Sequence, residues 1–574
     1  MTALLALFQP IGAPVVPFLA AAALCLVLPA MLRGLVAILA FGAAGALVWL
    51  GGAPVRATFG DLSLVPFVTD DLSFAFAIGF CAAGTLAAIY AFDLRSRVQQ
   101  IAMLLYAGAA VGAVHAGDLI TLFVYWEVTA LASAFIVWGR GTEGAFHTGM
   151  RYLVWQIGSG LLLVAGLALH YRAGGAIVIA EWNGPASTLS GIAILTALGI
   201  KGAFPLAHSW LKDAYPAALP AGTVVLSIFT TKMAIYALAR LFPGTELLVL
   251  IGCIMAVFPV FFALAEDDLR RALAYMLVSQ LGLMVIGVGI GTPAVLSGTA
   301  AHAMAGMVYF ALLFMATGAV LRATGTARAS LLGGLHRAMP ATFVLLGVAG
   351  LTAAALPLTA GYVSKTALLA SIDGAGQSAA YLCALFASAG TVLIALLRIP
   401  AAFLGETGPR ASQACEAPVS MLLAMALAAL VCIIGGVWTD GWLAILPAGA
   451  ELGIYKAGKV VHQLELVVTA ALAFVAALRM GWFGRARPYL VLDADWFYRT
   501  LAPAVLGFAA RVTSVTWEEA RRGARYVIGR AGDVLRETYR PGGRFGTIAG
   551  TGTMVLWLAV LLCAALVVNL LDIR

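Results

Sequence analysis

The amino-acid sequence predicts an all-α fold, a polytopic transmembrane helical bundle of about 16 spans if each bilayer crossing takes ~20 apolar residues. Three observations carry that prediction. Of 574 residues, 63% are hydrophobic and only 10% charged, with a mean hydropathy of +1.01, too little charge to cover a water-facing surface of that size. Apolar stretches of spanning length follow one another almost end to end. Lysine and arginine collect on alternate loops, the bias expected of a cytoplasmic side.

Two spans precede residue 51, the second starting just after Arg33. With no small-residue cleavage site, the first reads as a retained span rather than a signal peptide. A short polar excursion from Ala53 to Asp71 separates these from the third. A dense run from Ile101 to Leu404 holds about ten more. Met421 to Trp438, Leu466 to Met480 and Met554 to Leu571 complete the set. Arg33, Arg95, Arg97, Arg140, Arg151, Lys212, Arg270, Arg271, Arg328, Arg337, Arg398 and Arg410 fall on one face, expected to be cytoplasmic. The opposite loops hold isolated cations such as Arg56, Arg172 and Lys456. Both termini are then expected on the non-cytoplasmic side of the cell inner membrane.

The net charge of +8 follows from this bias, so lipid and not nucleic acid is the expected environment. Seven cysteines stand singly, with no CxxC spacing, which points away from an iron–sulfur site or a disulfide framework. No metal site, cofactor or cofactor-binding residue is expected. Residues 493–544 differ in kind. Arg511, Arg521, Arg522, Arg525, Arg530, Arg536 and Arg540 accompany a stripe of Phe497, Leu501, Val505, Phe508, Val512 and Val515 at three- and four-residue steps. That pattern predicts an amphipathic helix lying in the membrane interface, stopped by Pro541-Gly542-Gly543.

Four charges lie inside apolar stretches: Glu127 in LITLFVYWEVTALASAFIVW, Lys201 in GIAILTALGIKGAFPLAHSWL, Lys232 in TVVLSIFTTKMAIYALA and Lys365 in GLTAAALPLTAGYVSKTALLAS. A charge at that depth is costly unless paired or hydrated, so each marks a functional position. A low-dielectric site disfavours an ammonium and a nearby carboxylate favours it, so an acid and three bases on separate helices form a proton relay. The alternative is that they snorkel or pair only to hold the bundle together, an objection that weighs most on Lys365. Helix breaks accompany two of the lysines: Pro205 follows Lys201 and Pro357 precedes Lys365. Proline frees carbonyls that can hold water or ions, and interrupted helices in corresponding halves point to inverted repeats. His302 either relays protons or packs as a hydrogen-bonder. His208 is expected to tie down backbone freed at the first break. His115 and Asp118 stand at a helix junction, where capping is the expected role, and His170 at a span end.

These residues carry a resemblance. GDLITLFVYWEV, IKGAFPLAHSWLKDAYPAALPAGTVVLSIFTTKMAIYALAR, DLRRALAYMLVSQLGLMVIGVG and LPLTAGYVSK occur in the order seen in antiporter-like, proton-translocating membrane subunits. That family is shared by Mrp-type cation/proton antiporters, respiratory complex I and membrane-bound hydrogenases. The likeness covers Leu64 to Leu404 and leans to the D subunit of Mrp antiporters. It implies two inverted five-helix repeats with broken helices, at residues 101–241 and 246–404, flanked by N-terminal helices 1–100, C-terminal helices 420–480 and a final span 552–574. It implies that Glu127 and Lys201 form a modulating pair, that Lys232 continues the path, and that Lys365 hands protons onward. By the same resemblance, residues 493–544 are similar to the lateral helix of the distal pump subunit of complex I. One departure stands out. The pattern His-x3-His-x3-Lys on the His302 helix is broken here by Gly306 and Phe310.

Three functions remain open on the sequence. The first is a proton-conducting subunit of a multisubunit antiporter, exchanging protons for Na⁺ beside other membrane subunits. The second is a proton-pumping subunit of an NADH:quinone oxidoreductase-like or hydrogenase-type assembly, with any redox chemistry in the partners. The third is a degenerate scaffold copy.

Overall fold

Several helices begin here where a short polar side chain can take up the first free N–H groups. In the computed structural model, which describes residues 13–60, 62–182, 184–404, 408–409, 414–446, 453–480, 493, 496–540 and 551–571, the helices that open at Asp71, Arg97, Leu119, Glu143, Leu189, Leu269 and Ala360 start this way. The chain divides into two units, Met1–Val491 and Leu492–Arg574. In the first, α1 (Val16–Cys25) and α2 (Ala30–Leu50) precede a β-hairpin, β1 (Val55–Phe59) with β2 (Leu62–Phe67). From the sequence alone this hairpin reads as no more than a polar excursion. Its backbone is tied to the chain beyond, with Gly117 N–H on Val65 O at 2.9 Å and Val65 N–H on Asp118 Oδ2 at 2.8 Å.

Next come α3 (Asp71–Tyr90), opened by an Asp70–Ser73 capping box, α4 (Arg97–His115), α5 (Leu119–Trp138) and α6 (Glu143–Arg172). Two short helices follow, α7 (Leu189–Lys201) and α8 (Ser209–Ala217), then α9 (Pro220–Ile228), α10 (Thr230–Leu241), α11 (Glu246–Ala265), α12 (Leu269–Ile290) and α13 (Pro293–Thr324). A second short pair, α14 (Pro340–Ala353) and α15 (Ala360–Gly374), leads to α16 (Ser378–Thr391), α17 (Val419–Val437) and α18 (Ala457–Arg479).

Among the described residues, twelve helices are long and apolar enough to cross a membrane, which makes this a multi-pass membrane protein. Four shorter apolar helices stand beside them, Val16–Cys25, Leu189–Lys201, Pro340–Ala353 and Gly552–Leu566, two of these belonging to the broken helices. Each broken helix falls into halves, of 13 and nine, and of 14 and 15 residues. At 1.5 Å per residue neither half reaches across a ~30 Å core.

The two breaks are built alike. Ala203 and Leu206 have φ of 61° and 71°; Ala355 and Leu358, each 152 positions on, have 59° and 70°. Left-handed backbone costs a non-glycine residue about 1–3 kcal/mol, so packing must enforce it at both places. The hydrogen bonds repeat as well: Gly202 N–H to Leu198 O and Phe204 N–H to Gly199 O match Ala354 N–H to Gly350 O and Leu356 N–H to Leu351 O. The entry to each half also recurs. Asp118 caps α5 and bridges Val178; Asp268, 150 positions on, caps α12 and bridges Arg328.

Three of the cations expected on one face, Arg95, Arg140 and Arg270, lie close together. Arg140 and Arg270 both donate to Pro216 O, at 3.3 and 2.9 Å, and Arg95, Arg140 and Arg322 line one cavity of about 370 Å³. At the far end of the span Pro220–Leu241, Arg240 is bonded to Asp70. Burial alone would raise the Asp70 carboxyl, but this guanidinium prevails and holds it below the usual carboxylate range. Arg410 and the stop at Pro541-Gly542-Gly543 lie outside the described residues.

In the second unit, α19 (Ala502–Tyr539) is a single 38-residue helix, entered through a π-turn at Phe497–Leu501, and α20 (Thr551–Leu571) is apolar from Met554 to Val568. Leu501, Val505 and Phe508 are exposed on the expected stripe, and Arg522 pairs with Glu518 one turn back at 3.6 Å.

Candidate functional site

Lys201 is the last residue of α7, so its ammonium sits at the negative end of a half-helix. It is fully buried and donates to Trp126 O at 2.5 Å and Thr129 Oγ1 at 2.8 Å, both on α5, with Nζ 4.4 Å from the centre of the Trp126 ring. The break that follows leaves Ile200 O free of the helix, and Trp210 Nε1 takes it at 2.8 Å.

Glu127 stands on the same helix as the two acceptors of Lys201, half-buried, with Oε1 lacking a hydrogen-bond partner among the described residues. The pair implied by resemblance is therefore not an ion pair in this arrangement, because the ammonium is engaged by Trp126 and Thr129 instead. Gly160 of α6 makes room for the carboxylate: a Cβ there would lie 1.5 Å from Glu127 Oε1. That atom is the free end of a flexible side chain, so Gly160→Ala should leave assembly intact while pushing the carboxylate aside. In a proton-conducting chain, flux should then fall about tenfold, towards that of Glu127→Gln, as expected when an acid–base group is moved from its place. Wild-type flux from Gly160→Ala beside an inactive Glu127→Gln would show that the position of the carboxylate is unimportant.

Lys232, also fully buried, donates to Ser227 O at 2.6 Å, and its Nζ lies 5.4 Å from the Phe310 ring centre. The span is interrupted at Phe229, where Thr230 N–H bonds to Tyr106 Oη at 3.0 Å and Leu226 O, its acceptor in an unbroken helix, takes Tyr215 Oη at 2.8 Å instead. This third interruption has no proline to announce it. Lys365 is 1% exposed and donates to Ala353 O at 3.0 Å, the last carbonyl of α14 before the second break. It does not snorkel. Ala353 holds the place in the second break that Lys201 holds in the first, so the two lysines address equivalent helix ends from opposite sides of the turn. No carboxylate pairs with Lys201, Lys232 or Lys365 among the described residues.

Beside Lys201 and at the Phe229 interruption the structure adds hydroxyls that the sequence did not reveal. Tyr152 Oη donates to Ser133 Oγ at 2.7 Å, and Ser133 to Thr129 O at 2.5 Å. Tyr106 Oη and Thr230 Oγ1 lie 2.5 Å apart, and Trp126 Nε1 donates to Ser159 Oγ at 2.9 Å. On α6 the residues Tyr152, Gln156, Ser159 and Gly160 recur at helical spacing, a polar stripe that could have been found in an otherwise apolar span. Both amide atoms of Gln156 lack partners among the described residues. Beyond Lys232, His302 Nδ1 lies 3.4 Å from Ser364 Oγ, next to Lys365.

The supporting residues take quieter roles. His208 is buried at the N-cap of α8, its ring 4.8 Å from that of Phe258, and makes no capping bond. Asp118 caps α5 through Thr121 N–H at 2.7 Å, while His115 bonds back to Val111 O at 2.8 Å and stacks on Phe67. His170 packs against Trp182 near the end of α6. Among the described residues, no group of three His, Cys, Asp or Glu could hold a metal ion.

Glu127, Lys201, Lys232, His302 and Lys365 lie within residues 116–394, which match the family of NADH:quinone oxidoreductase/Mrp antiporter transmembrane domains. Residues 116–394 form a domain of that family. The likeness extends to the D-type component of a Na⁺/H⁺ antiporter from Alkalihalophilus pseudofirmus, 31% identical over 45% of this chain and 56% of its own length. An uncharacterized protein of Mycobacterium tuberculosis is 31% identical over 59% of this chain, and this chain spans 58% of it. Among solved structures, the Mrp complex of a Dietzia species matches with a TM-score of 0.67 and 23% identity, over 80% of this chain and 99% of that one. An archaeal membrane-bound sulfane sulfur reductase matches at 0.70 and 20%, over 97% and 100%. These two show a shared fold.

Proposed function

We propose that the chain is the proton-conducting membrane subunit of a multisubunit cation/proton antiporter of the cell inner membrane, with Na⁺ as the exchanged cation. The observation that carries this reading is the set of three fully buried lysines, each carried by an interrupted helix and donating to backbone or a hydroxyl, with no carboxylate paired to them among the described residues. An amine held by neutral acceptors can shed and regain a proton without first breaking a strong ion pair, as a relay station must. The order is Glu127, Lys201, Lys232, His302, Lys365. Residues 101–241 and 246–404 act as the two inverted halves, a division supported by the recurring break and entry loop. Residues 1–100, 420–480 and 552–574 flank them, 493–544 lies in the interface, and both termini face away from the cytoplasm. The antiporter subunits among the relatives favour Na⁺ and partner membrane subunits.

A second reading, a proton pump driven by a redox partner, is favoured by the fold likeness to the sulfane sulfur reductase over 97% of this chain. Purified complex in vesicles with an imposed ΔpH separates the two. Added Na⁺, but not choline, should collapse ΔpH. Flux that ignores Na⁺ and follows an electron donor would favour the second reading, and the absence of either flux would refute both.

A further inference from the structure

Between Lys232 and Lys365 the helix α13 carries Gly306 and Phe310, neither of which can take up a proton. The same helix holds an unassigned polar group at that gap. His302, Gly306 and Tyr309 are spaced four and three apart, so they share one face. Tyr309 is 1% exposed, and its hydroxyl has no hydrogen-bond partner among the described residues; the same is true of His302 Nε2. The two rings lie 6.3 Å apart. A Cβ added at Gly306 would lie 3.8 Å from Tyr309 Oη and 3.6 Å from Met284 Cε, ordinary contacts, so methyl-sized room stands beside the hydroxyl. On the other side the Tyr309 ring packs 4.9 Å from that of Phe310, over which Lys232 Nζ sits at 5.4 Å.

An unsatisfied buried hydroxyl is destabilising, and where one persists a functional reason is in order. Phenylalanine would fill the same space at no such cost.

We propose that Tyr309 is the relay residue that bridges this gap. In this step a proton from the Lys232 ammonium reaches Tyr309 Oη while the proton already on Oη passes to His302 Nε2, both transfers running through water, which the room beside Gly306 can lodge, since neither group is hydrogen-bonded to Oη. One O–H bond forms as another breaks, Lys232 is left neutral and the charge moves to His302. From there Nδ1 faces Ser364 and Lys365. The inference rests on the proton-conducting reading above.

Tyr309→Phe in the assembled complex tests it, read by ΔpH-driven proton flux in vesicles and by thermal midpoint. The expected result is a flux at least about tenfold lower with the midpoint unchanged or raised, since the variant removes a proton-transfer group but also an unpaired hydroxyl. Adding Phe310→Lys to Tyr309→Phe should restore flux by supplying a protonatable group at the same point. Unchanged flux in Tyr309→Phe, with Lys201→Ala inactive, overturns the role of Tyr309 alone. A fall in flux that comes with a lowered midpoint and is not rescued by Phe310→Lys overturns it too, by showing a packing role. If Lys201→Ala is as active as wild type, the proton-conducting reading itself fails.

Discussion

Lys201→Ala should lower ΔpH-driven proton flux through the assembled complex about 100-fold. The reasoning is local. Lys201 is fully buried at a helix end, and within reach of its ammonium lie Trp126 O and Thr129 Oγ1, both poor bases. Without the amine a proton must cross this point as a charge with no site to rest on. Placing a charge at the bilayer centre costs about 2.5–3.5 kcal/mol, and each 1.36 kcal/mol is a factor of ten in rate. Lys201→Gln keeps a donor for the Trp126 carbonyl but cannot take up a proton, so it should lose flux equally while assembling normally. If Lys201→Gln conducts like wild type, a hydrogen bond is all the site requires.

Gly361→Ala should have the largest effect on stability. Gly361 is the second residue of α15, and a Cβ there would lie 1.7 Å from Thr352 O, a backbone carbonyl of α14. Neither partner can swing away, so the two halves of the second broken helix would have to part. Gly436 of α17 closes on the same turn, where a Cβ would lie 2.2 Å from Leu358 C and Thr359 N. Overpacking usually costs 1–3 kcal/mol, and a clash between two backbones belongs at or above the top of that range, about 3 kcal/mol. The variant should fail to assemble or show a much lower thermal midpoint in detergent. Gly374→Ala, at the far end of the same helix and with nothing within 4 Å of its Cβ, should leave the midpoint unchanged. Equal midpoints for the two variants would mean that the turn is not held by this contact.

What could be read from the sequence was whatever stood out against an apolar background. Glu127, Lys201, Lys232 and Lys365 were visible because a charge inside a span has few innocent explanations, and Pro205 and Pro357 because proline cannot continue a helix. The interruption at Phe229 was hidden, since its cause is a hydroxyl from another helix, Tyr106, which takes the place of a backbone acceptor. Ser133, Tyr152 and Thr129 were hidden for a related reason: hydroxyls in membrane helices usually bond back to their own backbone, and only packing shows which of them face a lysine. Gly160 looked like one more small residue until Glu127 was seen to rest against it. The hairpin at Val55–Phe67 was missed because short strands between spans leave little pattern. That Lys201 and Lys365 approach equivalent helix ends from opposite sides became visible only once the two breaks could be compared atom by atom.

If the buried charges form one path in series, removing any single station should stop the whole. The direct measurement is ΔpH-driven proton flux in vesicles for Lys201→Ala, Lys232→Ala and the double variant, each in the fully assembled complex. A series path predicts that each single variant loses flux to the same residual level and that the double variant is no worse than either. Wild-type flux in Lys232→Ala, or two partial losses that multiply in the double variant, would contradict a single path through this chain.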